Sequence, residues 1–118
     1  MAEKRTILGL VEKITVVGPE SEETVIARID TGATASSIDL KLSAKLGLGP
    51  ITRTKIVKSA SGVKRRPIIK TKVRIGDKEI EGEFTLADRA HMTYQVLIGQ
   101  NILKEGNFLI DPCKEEKS

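Results

Sequence analysis

Short aliphatic and β-branched runs alternate with turn residues along this chain, and no helical period is sustained for long. Thr6–Val17 reads as one strand or two, ended by Gly18-Pro19, and the acidic Glu20–Glu23 stretch reads as a turn. Thr24–Asp30 is a strong strand with partial alternation, broken by Thr31-Gly32-Ala33-Thr34. Ser36–Leu40 predicts a short strand, and Lys41–Leu46 a short helix stopped by Gly47 and Gly49-Pro50. Thr52–Val57 predicts another strand, followed by the four small residues Ser59-Ala60-Ser61-Gly62 as a hairpin tip. Val63–Ile75 and Lys78–Leu86 predict two strands joined at Gly76-Asp77. Ala87–Gln95 is irregular, Val96-Leu97-Ile98 is a buried apolar triplet, Gln100–Glu105 a helical turn or two, and Phe108–Ile110 a last strand. Many short strands with frequent turns imply a mostly β protein: a small closed or partly closed barrel with one or two short helices. No internal repeat or linker divides residues 1–113, which read as one domain, and 114–118 form a charged tail expected to fray.

Composition narrows the picture. With 118 residues, 39% hydrophobic and 31% charged, the chain has the makings of one globular domain. Phe84, Tyr94 and Phe108 are its only aromatic residues, so the core must be aliphatic. So few rings also argue against stacking on single-stranded nucleic acid. The net charge of +4 favours acidic partners. One cysteine, Cys113, permits no intrachain disulfide and points to a reducing compartment. No signal-peptide core or membrane-length apolar run is present, which leads us to expect a cytoplasmic protein with no membrane partner. His91 and Cys113 are too few for an N/S zinc site, and no phosphate-cradling glycine motif occurs, so no metal and no cofactor are expected.

The candidate chemistry begins at Ala27-Arg28-Ile29-Asp30-Thr31-Gly32-Ala33. A strand delivers an aspartate to its end, a hydroxyl residue can anchor the turn, Gly32 permits close backbone approach or positive φ, and Ala33 leaves room beside the carboxylate. Alone, Asp-Thr-Gly is a short match that an ordinary strand-end turn also satisfies. A second element, Val96-Leu97-Ile98-Gly99-Gln100-Asn101-Ile102-Leu103, has the apolar pair, glycine and helix start that a buried loop beside such a turn needs.

Together the two elements resemble the retropepsin-like aspartic proteases over roughly residues 24–110. The resemblance is closer still to a prokaryotic branch named for ATP-dependent zinc proteases and often encoded near glutamate ligases that modify a ribosomal protein. The stretches that carry it are Asp30–Ser36, Ser59–Ile68 with Arg65-Arg66-Pro67-Ile68, and Thr85-Leu86-Ala87-Asp88-Arg89 through Met92 to Gly99. It implies the closed β-barrel of the acid-protease type and an aspartic endopeptidase acting as a homodimer. Asp30 of each copy would be catalytic, Thr31, Gly32 and Ala33 would form the active-site turn, and Ser59, Ala60, Ser61 and Gly62 the flap. Ile98, Gly99, Gln100 and Asn101 would form the second motif. Retropepsins usually carry Arg and Asp where this chain has Gln100 and Thr34, so a neutral hydrogen bond would have to replace that ion pair.

Lys64-Arg65-Arg66 with Lys70, Lys72 and Arg74 is the densest basic run. It reads either as a solvated strand face or as a docking surface for acidic peptide. The glutamate-ligase association of the branch suggests an oligoglutamate-bearing substrate, with Arg65 and Arg66 as candidate substrate-binding residues. Two other functions fit the residues: a catalytically inactive dimerisation or peptide-binding domain, and a small basic barrel that binds RNA.

Overall fold

The computed structural model describes residues 4–115. Its elements run β1 (Ile7–Leu8), β2 (Val11–Val17), β3 (Glu22–Ile29), β4 (Ser36–Asp39), α1 (Leu40–Lys45), β5 (Ile51–Ser59), β6 (Gly62–Ile75), β7 (Lys78–Ala87), β8 (Val96–Ile98), α2 (Gln100–Glu105) and β9 (Leu109–Ile110). The long first run is two strands, parted at Gly9-Leu10. One expectation fails nearby: Glu22 and Glu23 are not a turn but the first residues of β3, paired with Val17 and Val16. Pairing with the end of β2 outweighs their weak strand propensity, and their carboxylates meet Arg74 and Lys45. Phe108, expected in the last strand, precedes it and is buried in the core instead.

Six strands close a barrel in the order β2-β3-β8-β4-β7-β6, with β2 pairing back onto β6. β3–β8 and β4–β7 are parallel, and β4–β8 is antiparallel. The mostly β barrel with two short helices is the fold class that the pattern predicts. β5 lies outside the closed ring and pairs only with β6, so β5 and β6 project as a hairpin whose turn is Ala60-Ser61. β1 and β9 form a separate two-stranded parallel ribbon.

The hydrophobic core is aliphatic apart from Phe84 and Phe108, and includes Ile14, Val16, Ile38, Ile69, Val73, Ile75, Val96, Ile98 and Ile102. Strict alternation on β6 buries Thr71, Val73 and Ile75 and turns Lys70, Lys72 and Arg74 outward. Lys114 is not frayed: its ammonium donates to the Ile7 carbonyl and to Glu12. The rest of the expected tail, after Glu115, lies outside the described residues.

Candidate active site

β3 ends at Ile29, and the ladder to β8 runs one step further, where Asp30 N donates to Ile98 O at 2.9 Å. Asp30 is thus anchored by its backbone to the second motif, with a half-buried side chain at the mouth of the turn. Its Oδ1 accepts from Gly32 N at 2.9 Å, and its carbonyl from Ala33 N at 3.3 Å. Of the two reasons for glycine at position 32, close approach is the one realised. An added Cβ would lie 3.3 Å from Asp30 Oδ1, and φ is not in the left-handed region.

The second motif locks this turn from beneath. Gln100 N donates to Ala33 O at 2.8 Å, and the Gln100 side-chain Nε2 donates to Thr31 O at 2.8 Å. The neutral bond that stands in for the missing ion pair therefore runs to the main chain of Thr31 and not to Thr34. Gly99 leaves no room for a side chain: a Cβ there would fall 2.2 Å from Ala35 O and 2.9 Å from Ala33 O. Ser36 supplies a bridge that the sequence did not reveal. Its buried hydroxyl accepts from Gly99 N at 2.8 Å and donates to Asn101 Oδ1 at 2.7 Å. The Asn101 amide in turn donates to Glu83 O at 2.9 Å. Ser36, Gly99, Asn101 and Glu83 are thereby tied into one hydrogen-bonded unit, and only the apolar-Gly-x-Asn pattern hinted at it.

Register shows which side chains face the same way, because cross-strand partners share a face. Arg28 pairs with Leu97, Leu97 with Ser37, Ser37 with Thr85, Thr85 with Ile68, and Ile68 with Arg53. This row crosses the outer face of the barrel from beside Asp30 to the root of the β5–β6 hairpin. Between the hairpin root and the turn lies a cavity of about 250 Å³, lined by Thr34, Ala35, Arg53, Lys55, Ile68, Glu83, Thr85 and Asn101. Arg53 and Glu83 form a two-pronged ion pair across it, at 2.9 and 3.0 Å, which holds the Glu83 carboxyl below the usual range. Ser37 Oγ on the row is buried without a hydrogen-bond partner among the described residues.

The basic residues divide in a way that sequence adjacency conceals. Arg66 pairs with Lys55, and Arg65 pairs with Ile56, so Arg65 and Arg66 lie on opposite faces of the hairpin. Arg66 shares the face of Lys55, which lines the cavity. It also adds its charge to that of Arg89, whose guanidinium is held below its usual range chiefly by burial. Arg89 is positioned by its Nε bond to Tyr94 O and its backbone bond to Asp39. Lys70, Lys72 and Arg74 stand opposite Glu83, Glu81 and Glu79 on β7, so that stripe is a charge-balanced strand face. The expected flap residues Ser59, Ala60, Ser61 and Gly62 occupy the hairpin end, with Gly62 at φ +121°. Among the described residues no group of three or more His, Cys, Asp and Glu is placed to hold a metal ion. Among the described residues no helix is long and apolar enough to cross a membrane.

Solved structures share this fold at low identity. A Legionella pneumophila protein of unknown function, Lpg0085 (DUF785), matches with TM-score 0.67 and 21% identity over 97% of this chain and 98% of its own. The EIAV protease, solved with the inhibitor HBY-793, matches with TM-score 0.64 and 16% identity over 90% and 91%. A retropepsin-like aspartic protease from Rickettsia conorii matches with TM-score 0.53 and 20% identity over 79% and 69%. None of the curated proteins matches the chain. Residues 47–117, which hold the β5–β6 hairpin and the second motif but begin after Asp30, match the RimB-like family, described as retropepsin-like aspartic endopeptidase RimB, and the chain belongs to that family.

Proposed function

We propose that the chain is an aspartic endopeptidase that works as a homodimer, with Asp30 of each copy forming the catalytic pair. The observation that carries this reading is the Asp30 turn, pinned to the second motif through Ile98 O, Ala33 O and Thr31 O while its side chain stays half-exposed at the mouth of the turn. A single Asp-Thr-Gly turn per chain supplies half of such a site, and a two-fold axis supplies the other half. Two carboxylates about 3 Å apart share one proton. The ionised member takes a proton from water, whose oxygen attacks the scissile carbonyl, and the protonated member donates to the carbonyl oxygen. Collapse of the tetrahedral diol releases the amine, which takes up a proton. The exposed Thr31 hydroxyl braces one turn against the other, and the β5–β6 hairpin closes over the substrate.

The substrate is an acidic or oligoglutamate-bearing protein segment. Residues 51–68 carry Arg53, Lys55, Lys58, Lys64, Arg65 and Arg66 and no carboxylate. Of these, Lys55 and Arg66 share the face that lines the cavity. Nucleic acid is not favoured, because the Lys70–Arg74 stripe is matched by glutamates on β7.

The test is cleavage of a peptide library and a glutamate-tailed peptide by wild type and Asp30→Asn, with molar mass from light scattering. The wild type is expected to cut as a dimer with a bell-shaped pH profile, and the variant to fold, dimerise and not cut. Folded dimers of both proteins that leave every peptide intact would overturn the enzyme reading in favour of a peptide-binding or dimerisation module. The loss of the Arg–Asp pair at Gln100 and Thr34 is the observation that favours that second reading.

A further inference from the structure

We propose that Arg28 reads a carboxylate side chain on the substrate residue next to the scissile bond. The inference rests on the protease reading and names the specificity of that same site. Arg28 lies two residues before Asp30, and alternate residues of an extended strand face the same way. Its neighbours Ala27 and Ile29 are buried in the core, which leaves Arg28 outward and exposed. The guanidinium has no ion-pair partner among the described residues, whose four ion pairs are Lys45–Glu23, Arg53–Glu83, Arg74–Glu22 and Lys114–Glu12. At the other end of the same row, Arg53 is neutralised by Glu83.

The surface between the two ends suits a glutamate. Leu97, half-buried beside Arg28, offers an aliphatic patch for the methylenes of the side chain. The carboxylate then reaches the Arg28 fork, which can take both oxygens at once. Beyond Leu97 the row turns inward, since Ser37 Oγ is buried, Thr85 Oγ1 donates to Ser36 O at 3.2 Å and Ile68 is buried, so the exposed part of the row beside Asp30 is Arg28 with Leu97. A two-fold axis through the Asp30 pair sets one Arg28 on each side of the bond. The dimer therefore selects acidic residues on both flanks, and the preferred cut lies between two of them.

The test needs no turnover. In the Asp30→Asn background, binding of a tetraglutamate peptide and its tetraglutamine counterpart is measured by fluorescence anisotropy, with Arg28 intact or changed to Gln, Lys or Glu. Arg28→Gln is expected to lower the Glu-over-Gln preference about tenfold or more, the size of a charge-assisted contact. Arg28→Lys should retain part of it, and Arg28→Glu should abolish or invert it. In active protein the same ratio is read as kcat/KM for peptides with Glu-Glu or Gln-Gln at the cut. An unchanged ratio in Arg28→Gln overturns the proposal, as does equal binding of both peptides by the parent. So does a loss of dimer mass with the ratio preserved, which would make Arg28 an interface residue. Arg28-dependent binding of the glutamate peptide by a wild type that never cleaves supports the proposal and overturns the protease reading alone.

Discussion

Gly99→Ala tests the claim that the second motif holds the active-site turn by main-chain contact. The new Cβ would sit 2.2 Å from Ala35 O, 2.7 Å from Ala35 C and 2.9 Å from Ala33 O. Real Cβ atoms do not come within 3.0 Å of such atoms, so the two segments must part by at least about 0.8 Å. All three obstacles are backbone, so no side-chain rotation relieves them. Overpacking of this kind costs about 1–3 kcal/mol. The displacement also stretches the bonds from Gly99 N to Ser36 Oγ and from Gln100 N to Ala33 O, each worth about 1 kcal/mol. The sum is about 3–5 kcal/mol, a large share of the roughly 5–15 kcal/mol that holds a domain folded. Urea unfolding followed by circular dichroism should show that loss, and Tm should fall by roughly 12–20 °C. Gly32→Ala is the internal comparison, because its Cβ meets only Asp30 Oδ1, at 3.3 Å, and should cost about 1 kcal/mol or less. The reasoning is refuted if Gly99→Ala stays within about 1 kcal/mol of wild type, or if the two substitutions cost the same.

Ser36→Ala should cost about 2–3 kcal/mol in the same assay, since it strands a buried Gly99 N–H and deprives Asn101 of its partner. A change under 0.5 kcal/mol would show that Ser36 is not the bridge. Gln100→Ala removes the bond to Thr31 O and should cost about 1 kcal/mol of stability. If the protein is an active dimer, Gln100→Ala should also reduce turnover most at low protein concentration. The Glu83 carboxyl is held below its ordinary 4.5 in the folded state, chiefly by its hydrogen bond from Arg53. The unfolded chain therefore takes up this proton first, and the contribution of the pair is present above about pH 4.5 and lost as pH falls through the lower folded-state value. Urea midpoints for wild type and Glu83→Gln should differ at pH 6 and draw together as the pH falls below the ordinary carboxylate range, and parallel pH dependence would contradict this assignment.

Much of the architecture is set by local chemistry. Gly76-Asp77 and the small residues around Ala60-Ser61 turn the chain where the sequence places turns, and the aliphatic runs between them become the strands. Gly106 ends α2, and Gly47, at φ +65°, follows α1. The Asp30 turn and the Gly99 motif were both legible, because each is a contiguous run whose residue types constrain their own backbone. What the strand pattern could not supply was register. Glu22 and Glu23 joined β3 because β2 extends far enough to pair with them, and Phe108 became core because α2 packs on the barrel.

The same limit governs the site. Arg65 and Arg66 are neighbours in sequence but lie on opposite faces of the hairpin, whereas Arg66 and Lys55 are brought together by the β5–β6 pairing. Lys70, Lys72 and Arg74 form a basic run along the chain and a balanced surface in space, because β7 sets a glutamate opposite each. Ser36 and Arg28 lie within the motif stretches, but no local pattern singles them out. Ser36 acts through a partner 65 positions away at Asn101, and the role proposed for Arg28 depends on its pairing across the ladder with Leu97. The sequence by itself determined the strands, the turns and the displayed aspartate, since those follow from backbone preference and burial within a few residues. Closure of the sheet alone decided which charges face the cleft and which cancel, because a strand's alternation gains a direction only when its partner's register is set.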